Sequence, residues 1–330
     1  MSQREDILDL LSGKKINNQP SFSGLIHAAV EGLQSEGLVF HETHKDAQKM
    51  ARAAASTFKL TGIPSAALPL DLCAPAEMLG AELSFYEGGE FQFPQVRRAL
   101  VESTKDVKGV GIGGLETGRL PIIYEAIGLV KNDIGKDIVI SGTIPGPYTL
   151  LLYLCNPKNL FIEMKKEPQA VINALFHLSS FLAEIGTAYK NAGADFITIH
   201  DMGGSPGFIG PAKYEQFVSP AEKLLIEKLP GPCVLSVCGN VTSSLNLLAQ
   251  TGADAISIDQ TVDLAAARLA LKDTLLFGNL DPVETLYRGD EARVRESVVN
   301  AKEAGVDAVW PGCDIVPQTL IENIKTMMQA

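Results

Sequence analysis

The stretch NAGADFITIHDMGG, residues 191–204, decides how the chain folds. Gly193 follows a long amphipathic run and reads as the C′ residue that ends a helix. Phe-Ile-Thr-Ile then reads as a short strand, rich in β-branched and aromatic residues and bounded by turn formers. His200 and Asp201 close that strand, and Gly203 and Gly204 open a flexible turn into the next helix. The same phrase returns as QTGAD at 250–254, before AISIDQ, and as EAGVD at 303–307, before AVWPGC.

Strand-like runs of the same kind occupy 62–73, 137–147, 233–240 and 275–282, with an earlier one at PSFSGLI, 20–26. Helical patterns such as 168–193 and 212–229 lie between them. Strands alternating with helices imply a parallel sheet covered on both faces. About eight such units in 330 residues predict a closed (β/α)8 TIM barrel, an α/β fold in one domain over residues 1–330. A short helical extension precedes it: Ser2 and Glu5 have capping-box spacing, and Ile7, Leu8, Leu10 and Leu11 share one face. The segment 84–136 is longer and less regular and reads as an insertion near the barrel mouth. Within it GIGGLETG, 111–118, reads as a mobile loop, being neither a dinucleotide fingerprint nor a phosphate loop with its lysine.

The chain is 46% hydrophobic and 20% charged, which supports a large core and excludes a disordered polyelectrolyte. Its net charge of −11, with no basic run, gives no general attraction for nucleic acid or an anionic membrane. The N-terminus lacks the apolar stretch of a signal peptide, and no uninterrupted apolar run approaches the roughly 20 residues of a membrane span. Five scattered cysteines form no disulfide framework, so a cytoplasmic chain with reduced thiols is expected.

In such a barrel, chemistry sits at the C-terminal ends of the strands. Those ends carry Asp71 and Cys73, His200 and Asp201, Cys238, Asp259, Asn279 and Asp281, and Cys313. Cys238 lies in VLSVCGN, 234–240, and Cys313 in AVWPGCDIVP, 308–317. One cysteine at a strand end is commonly an inert small core residue. Two at one mouth point to a shared metal, and zinc suits thiolates while leaving a position open for substrate.

Here a resemblance becomes legible. The runs SVCGNVTSSLNLLAQTGADAISIDQ (236–260), LLFGNLDPVETL (275–286) and AGVDAVWPGCDIVPQTLIENIK (304–325) resemble the uroporphyrinogen decarboxylase superfamily. They look most like its corrinoid-dependent methyltransferases, as do HKDAQKMARAA (44–54), LDLCAPAEMLGAEL (70–83) and GPYTLLLYL (146–154). The resemblance implies a (β/α)8 barrel with a zinc site of pattern H-x-C…C. It also implies methyl transfer between a methylcorrinoid and coenzyme M or a related small acceptor. Cys238 and Cys313 take the two cysteine positions, whereas the histidine position is Ser236. A serine hydroxyl is a poor zinc ligand, so His200, Asp201, Asp259 or a water would complete the set, or the metal is weakly held or lost. His27, His41, His44 and His177 suit the role less well. Asn240, Asn279 and Asp281 fall on loops implied to meet the cofactor. The chain has no D-x-H-x-x-G corrinoid-binding segment, so the corrinoid would arrive on a partner protein.

The decarboxylase branch of the resemblance supplies a competing reading as a lyase. Asp71 and Tyr153 match that branch's aspartate and tyrosine. Its arginine-rich segment after the first strand is missing: SFSGLIHAAVEGL, 21–33, stands there, and no arginine lies between Arg4 and Arg52. Without an arginine fork for carboxylates, a polycarboxylate porphyrinogen is a poor substrate. The expected activity is therefore corrinoid-dependent, zinc-assisted methyl transfer. The acceptor is a thiol such as coenzyme M, or tetrahydrofolate served by Asp71, Asp201 or Asp259. Transfer in the demethylating direction and a silent barrel that only binds the corrinoid protein stay open.

Overall fold

The computed structural model describes residues 2–88, 91–110 and 114–330. Seven parallel strands form one curled sheet: β1 (Ser65–Leu68), β2 (Val139–Pro145), β3 (Phe196–Asp201), β4 (Cys233–Val237), β5 (Ala255–Ile258), β6 (Leu275–Leu280) and β7 (Ala308–Pro311). They pair in sequence order, each with the next. Helices fill the connections as the alternating pattern demands. The principal ones are α1 (Gln3–Leu11), α2 (Ala47–Thr61), α3 (Leu120–Asp133), α4 (Pro147–Leu154), α5 (Pro168–Ala192), α6 (Ser219–Lys228), α7 (Leu264–Leu271), α8 (Glu291–Glu303) and α9 (Ile321–Gln329). The fold is a TIM-type α/β barrel.

The eighth stave differs from the regular strand expected at 20–26. Phe22 N donates to Val309 O at 3.2 Å and Val309 N to Pro20 O at 2.9 Å, joining the segment to β7. Only Ser21 forms a bridge with β7, and the β1 side is joined through the Ser65 hydroxyl, which accepts from Ser23 N at 3.0 Å. The physical reason is local chemistry: Pro20 has no N–H to give, and serine hydroxyls replace ladder bonds.

Alternation along the strands fills the barrel interior. Phe196, Val234, Ala255, Phe277, Ala308 and Trp310 pack there with Phe22 and Leu25. The extension α1 plugs one end, adding Ile7, Leu10 and Leu11 to the same cluster. Its capping box forms as the spacing predicts. Arg4 ties it to the barrel floor by donating to Ile138 O at 2.9 Å and Asp195 Oδ1 at 2.8 Å. Helix α5 is long and apolar enough to cross a bilayer by length and composition, but its apolar stripe, including Leu175, Leu178, Leu182 and Ile185, is buried in the barrel's outer layer.

The irregular segment 84–136 contributes a two-residue ribbon (Leu83–Ser84 with Gln95–Val96), a 3₁₀ turn at Thr104–Gly109 and then α3. Of the glycine-rich loop expected at 111–118, residues 111–113 lie outside the described residues.

Gly24 is tightly packed in the barrel interior. A Cβ there would lie 2.5 Å from Thr198 Oγ1, 2.6 Å from the Trp310 ring and 2.7 Å from Phe196. Gly24→Ala is therefore expected to destabilise the chain by about 1–3 kcal/mol through overpacking, read from urea unfolding midpoints at constant m-value.

Candidate metal centre at the barrel mouth

The centre is assembled by strand register. Parallel pairing sets His200 beside Ser236, and Ser236 beside Ser257, on neighbouring strands. With a side-chain period of two, Cys238 stands on the same face of β4 as Ser236, one step toward the mouth. Gly239, at φ +77°, then turns the chain away, and its N–H donates to Asp259 Oδ2 at 2.9 Å, which braces the Cys238 turn. Cys313 arrives from the loop after β7, where Gly312 N donates to Leu280 O at 2.8 Å.

Three donors converge. His200 Nε2 lies 3.1 Å from Cys238 Sγ, Cys238 Sγ lies 3.0 Å from Cys313 Sγ, and Cys313 Sγ lies 3.8 Å from His200 Nε2. All three ligand atoms fall within 4.8 Å of one another. His200 is fully buried, while the two cysteines are partly accessible from the mouth.

Electrostatics separates these thiols from the others. Cys73, Cys155 and Cys233 are each pushed up to about 12, chiefly by burial, and stay protonated. Cys313 moves the opposite way: hydrogen bonds from Cys238 and, against burial, from His200 hold it low, as a thiolate. Cys238 is held high, first by donating its S–H to Cys313 and then by burial. Burial pushes His200 down, but Asp314 and then Cys313 more than offset it and raise it to about 9. Asp314 is raised to about 6 by burial, against the pull of His200.

The other expected site residues fall elsewhere. Asp71 is buried and fully committed. It accepts from Arg119 at 2.7 and 3.1 Å, from His44 Nδ1 at 3.0 Å and from Cys73 N at 2.8 Å. Burial opposes its charge, but Arg119 and His44 prevail and hold its carboxyl well below the usual carboxylate range. Arg119 also donates to Glu77 Oε2 at 2.6 Å. Asp201 has the wrong parity for the barrel interior: it points outward beneath α4, accepting from Thr149 Oγ1 at 2.6 Å and Gly204 N at 2.7 Å. Burial raises its pKa.

Tyr153 lines an apolar groove of about 220 Å³ with Thr149, Leu152, Met202, Gly203 and Phe208. Its phenol is raised, chiefly by burial. Asn240 and Asp281 make local turns, whereas Asn279, expected in a loop, lies within β6 and reaches across to the loop after β5. Asn240 Oδ1 accepts from Thr242 N, Asn279 Nδ2 donates to Asp259 O and Val262 O, and Asp281 caps the next turn through Val283 N and Glu284 N.

Two residues escaped the sequence reading. Arg119 lies in the irregular segment, 48 residues from Asp71, with nothing local to link them. Asp314 directly follows Cys313, and that adjacency in PGCD was the available signal.

A barrel with two cysteines and a histidine at its mouth defines a metal-competent enzyme scaffold, and comparison with known proteins narrows the class. The chain belongs to the uroporphyrinogen decarboxylase (URO-D) family, whose model matches residues 2–330. It is 30% identical to the methylcobamide:CoM methyltransferase MtbA of Methanosarcina acetivorans over 99% of this chain and 96% of that protein. It is 28% identical to the methylcobamide:CoM methyltransferase MtaA of Methanosarcina barkeri, over 98% and 96% respectively. A solved methyltransferase from Methanosarcina mazei superposes with TM-score 0.94 at 26% identity, covering 100% of this chain and 98% of that one. Within its family the chain is an enzyme of the methyltransferase type.

The Asp71–Arg119 pair is a structural lock, and breaking it leaves a buried carboxylate. Arg119→Met should cost about 3–5 kcal/mol in urea unfolding. The double variant Asp71→Asn, Arg119→Met should recover a good part of that loss, since both charges are then gone.

Proposed function

We propose that the chain transfers a methyl group between a methylcorrinoid, carried on a separate corrinoid-binding protein, and a small thiol acceptor of the coenzyme M class. Zinc held by His200, Cys238 and Cys313 assists. The convergence of these three donors carries the reading. Tetrahedral zinc with Zn–S of ~2.3 Å and Zn–N of ~2.0 Å sets two sulfurs ~3.8 Å apart and sulfur and nitrogen ~3.5 Å apart. The spans of 3.0, 3.1 and 3.8 Å lie within an ångström of that. Two thiols and one imidazole, with a fourth side open to the mouth, are the donor set of a catalytic rather than a closed structural site.

When bound, the ion would lower the pKa of an acceptor thiol so that thiolate is available at neutral pH. The protein's own part is placement. Cys313 and Cys238 bring two sulfur donors to one point of the rim. Tyr153, Leu152, Met202 and Phe208 line an apolar groove after β2 and β3. The acceptor sulfur bonds to the methyl carbon as the carbon–cobalt bond breaks, and the electron pair leaves on cobalt. Substrate atoms held in line in this way gain most of their rate from orientation.

A thiol acceptor is favoured over tetrahydrofolate by the acids themselves. An amine acceptor needs a proton handled by a free carboxyl. Asp71 is tied to Arg119 and His44, Asp201 is turned outward, and both oxygens of Asp259 accept from loop amides.

The test is metal content together with methyl transfer. The purified chain should hold about one zinc, and Cys238→Ser or Cys313→Ser should lose both zinc and transfer. His200→Ala should weaken zinc at least ~10-fold, and adding Ser236→His should restore it, because positions 200 and 236 face each other across one rung. A metal-free chain with full transfer activity would overturn the zinc reading.

A further inference from the structure

We infer that Asp314 is the positioning residue for His200, the carboxylate that orients its ring so that Nε2 faces the two sulfurs. The inference rests on the metal reading above and adds a residue to it. An imidazole that binds a cation through Nε2 must carry its proton on Nδ1. His200 Nδ1 is buried and without a hydrogen-bond partner among the described residues. A buried N–H left unpaired is costly, so the ring is held only if an acceptor lies on its far side. Asp314 Oδ1 is 3.8 Å from Nδ1, about an ångström beyond a hydrogen bond.

Asp314 is itself anchored. Its Oδ1 accepts from Ile26 N at 2.9 Å, and Ile315 N donates to Ile26 O at 3.0 Å. The carboxylate therefore hangs between the Cys313 loop and the eighth stave, and it follows one metal donor in sequence while facing another in space. Ser236 is the rival partner: its Oγ is also buried and unpaired on the rung beside His200. A hydroxyl is the weaker acceptor for an imidazole N–H, because a charged acceptor roughly doubles the bond.

The full-length chain tests this through zinc affinity, measured by competition with a chromophoric chelator. Asp314→Asn should weaken zinc ~10-fold, and Asp314→Ala up to ~100-fold, the range seen when the partner of a metal-bound histidine is removed. The metal-free melting temperature of Asp314→Asn should stay at the parent value, because the amide oxygen still accepts from Ile26 N. Ser236→Ala should leave affinity unchanged. In a His200→Ala background the Asp314→Asn effect should vanish.

Zinc affinity within twofold of the parent in Asp314→Asn overturns the inference. So does an undiminished Asp314→Asn effect in the His200→Ala background, or a loss that follows Ser236→Ala instead. A parent chain that takes up no zinc overturns the metal reading and this inference together. A zinc-binding parent with an unaffected Asp314→Asn overturns the inference alone.

Discussion

One rung of the sheet governs the site. Parallel pairing of β3 with β4 puts His200 and Ser236 side by side, and Cys238 one step above them. Neighbouring strands lie about 4.8 Å apart, less than the reach of an imidazole. A ring mounted on either strand can therefore meet the same sulfur. Position 236 on β4 carries only a hydroxyl, and β3 presents the imidazole of His200 at the same height. Register, held by the buried core on both sides, makes the two positions neighbours while they remain remote in sequence.

The mouth contains two ionic clusters. Around Asp71 every acceptor position is filled by Arg119, His44 and the Cys73 amide, and Arg119 is in turn satisfied by Glu77. That network fixes the Asp71 carboxylate and leaves His44 Nε2, at its edge, buried without a partner among the described residues. Around Cys238 and Cys313 more of the capacity is unused. Two sulfurs and a ring nitrogen crowd together, with Nδ1 of His200 and the hydroxyls of Ser236 and Ser257 lacking partners. Crowded donors with unused capacity are what a bound cation resolves, whereas burial keeps Cys73, Cys155 and Cys233 as ordinary apolar thiols.

Much of this could be read from sequence, and the reason is periodicity. Gly-Ala-Asp before β3 and β5 and Gly-Val-Asp before β7 are local signals, since a glycine cap and a short strand are decided within a few residues. It located β3, β5 and β7 and hence the strand ends that carry His200, Asp259 and Cys313. Parity was the subtler clue: His200 and Asp201 are adjacent, yet only one can face the interior, and the hydrophobic pattern of a strand buried on both faces does not say which. Asp71 illustrates what no local pattern reveals. Its role depends on Arg119, which reaches it from an irregular segment through tertiary contact alone. The eighth stave was visible as an apolar run, but its serine-mediated joints to β1 and β7 are tertiary facts as well.

The irregularity of that stave is connected to the site. A regular strand at 20–26 would commit its amides to the ladders with β7 and β1. The segment instead leaves the sheet after Ser21, and Gly24 brings its carbonyl inward, where Ser141 and Thr143 donate to it at 2.9 and 3.2 Å. This frees the Ile26 amide to bind Asp314. Gly24 can make the approach only because it has no side chain to meet Thr198 and Trp310. The same residues that break strand regularity therefore supply the anchor of the carboxylate nearest His200. Loss of ladder hydrogen bonds at the closing seam of the barrel is offset by bonds from Ser23, Ser65, Ser141 and Thr143. The seam is thus joined by side chains at the place where Asp314 takes a backbone amide.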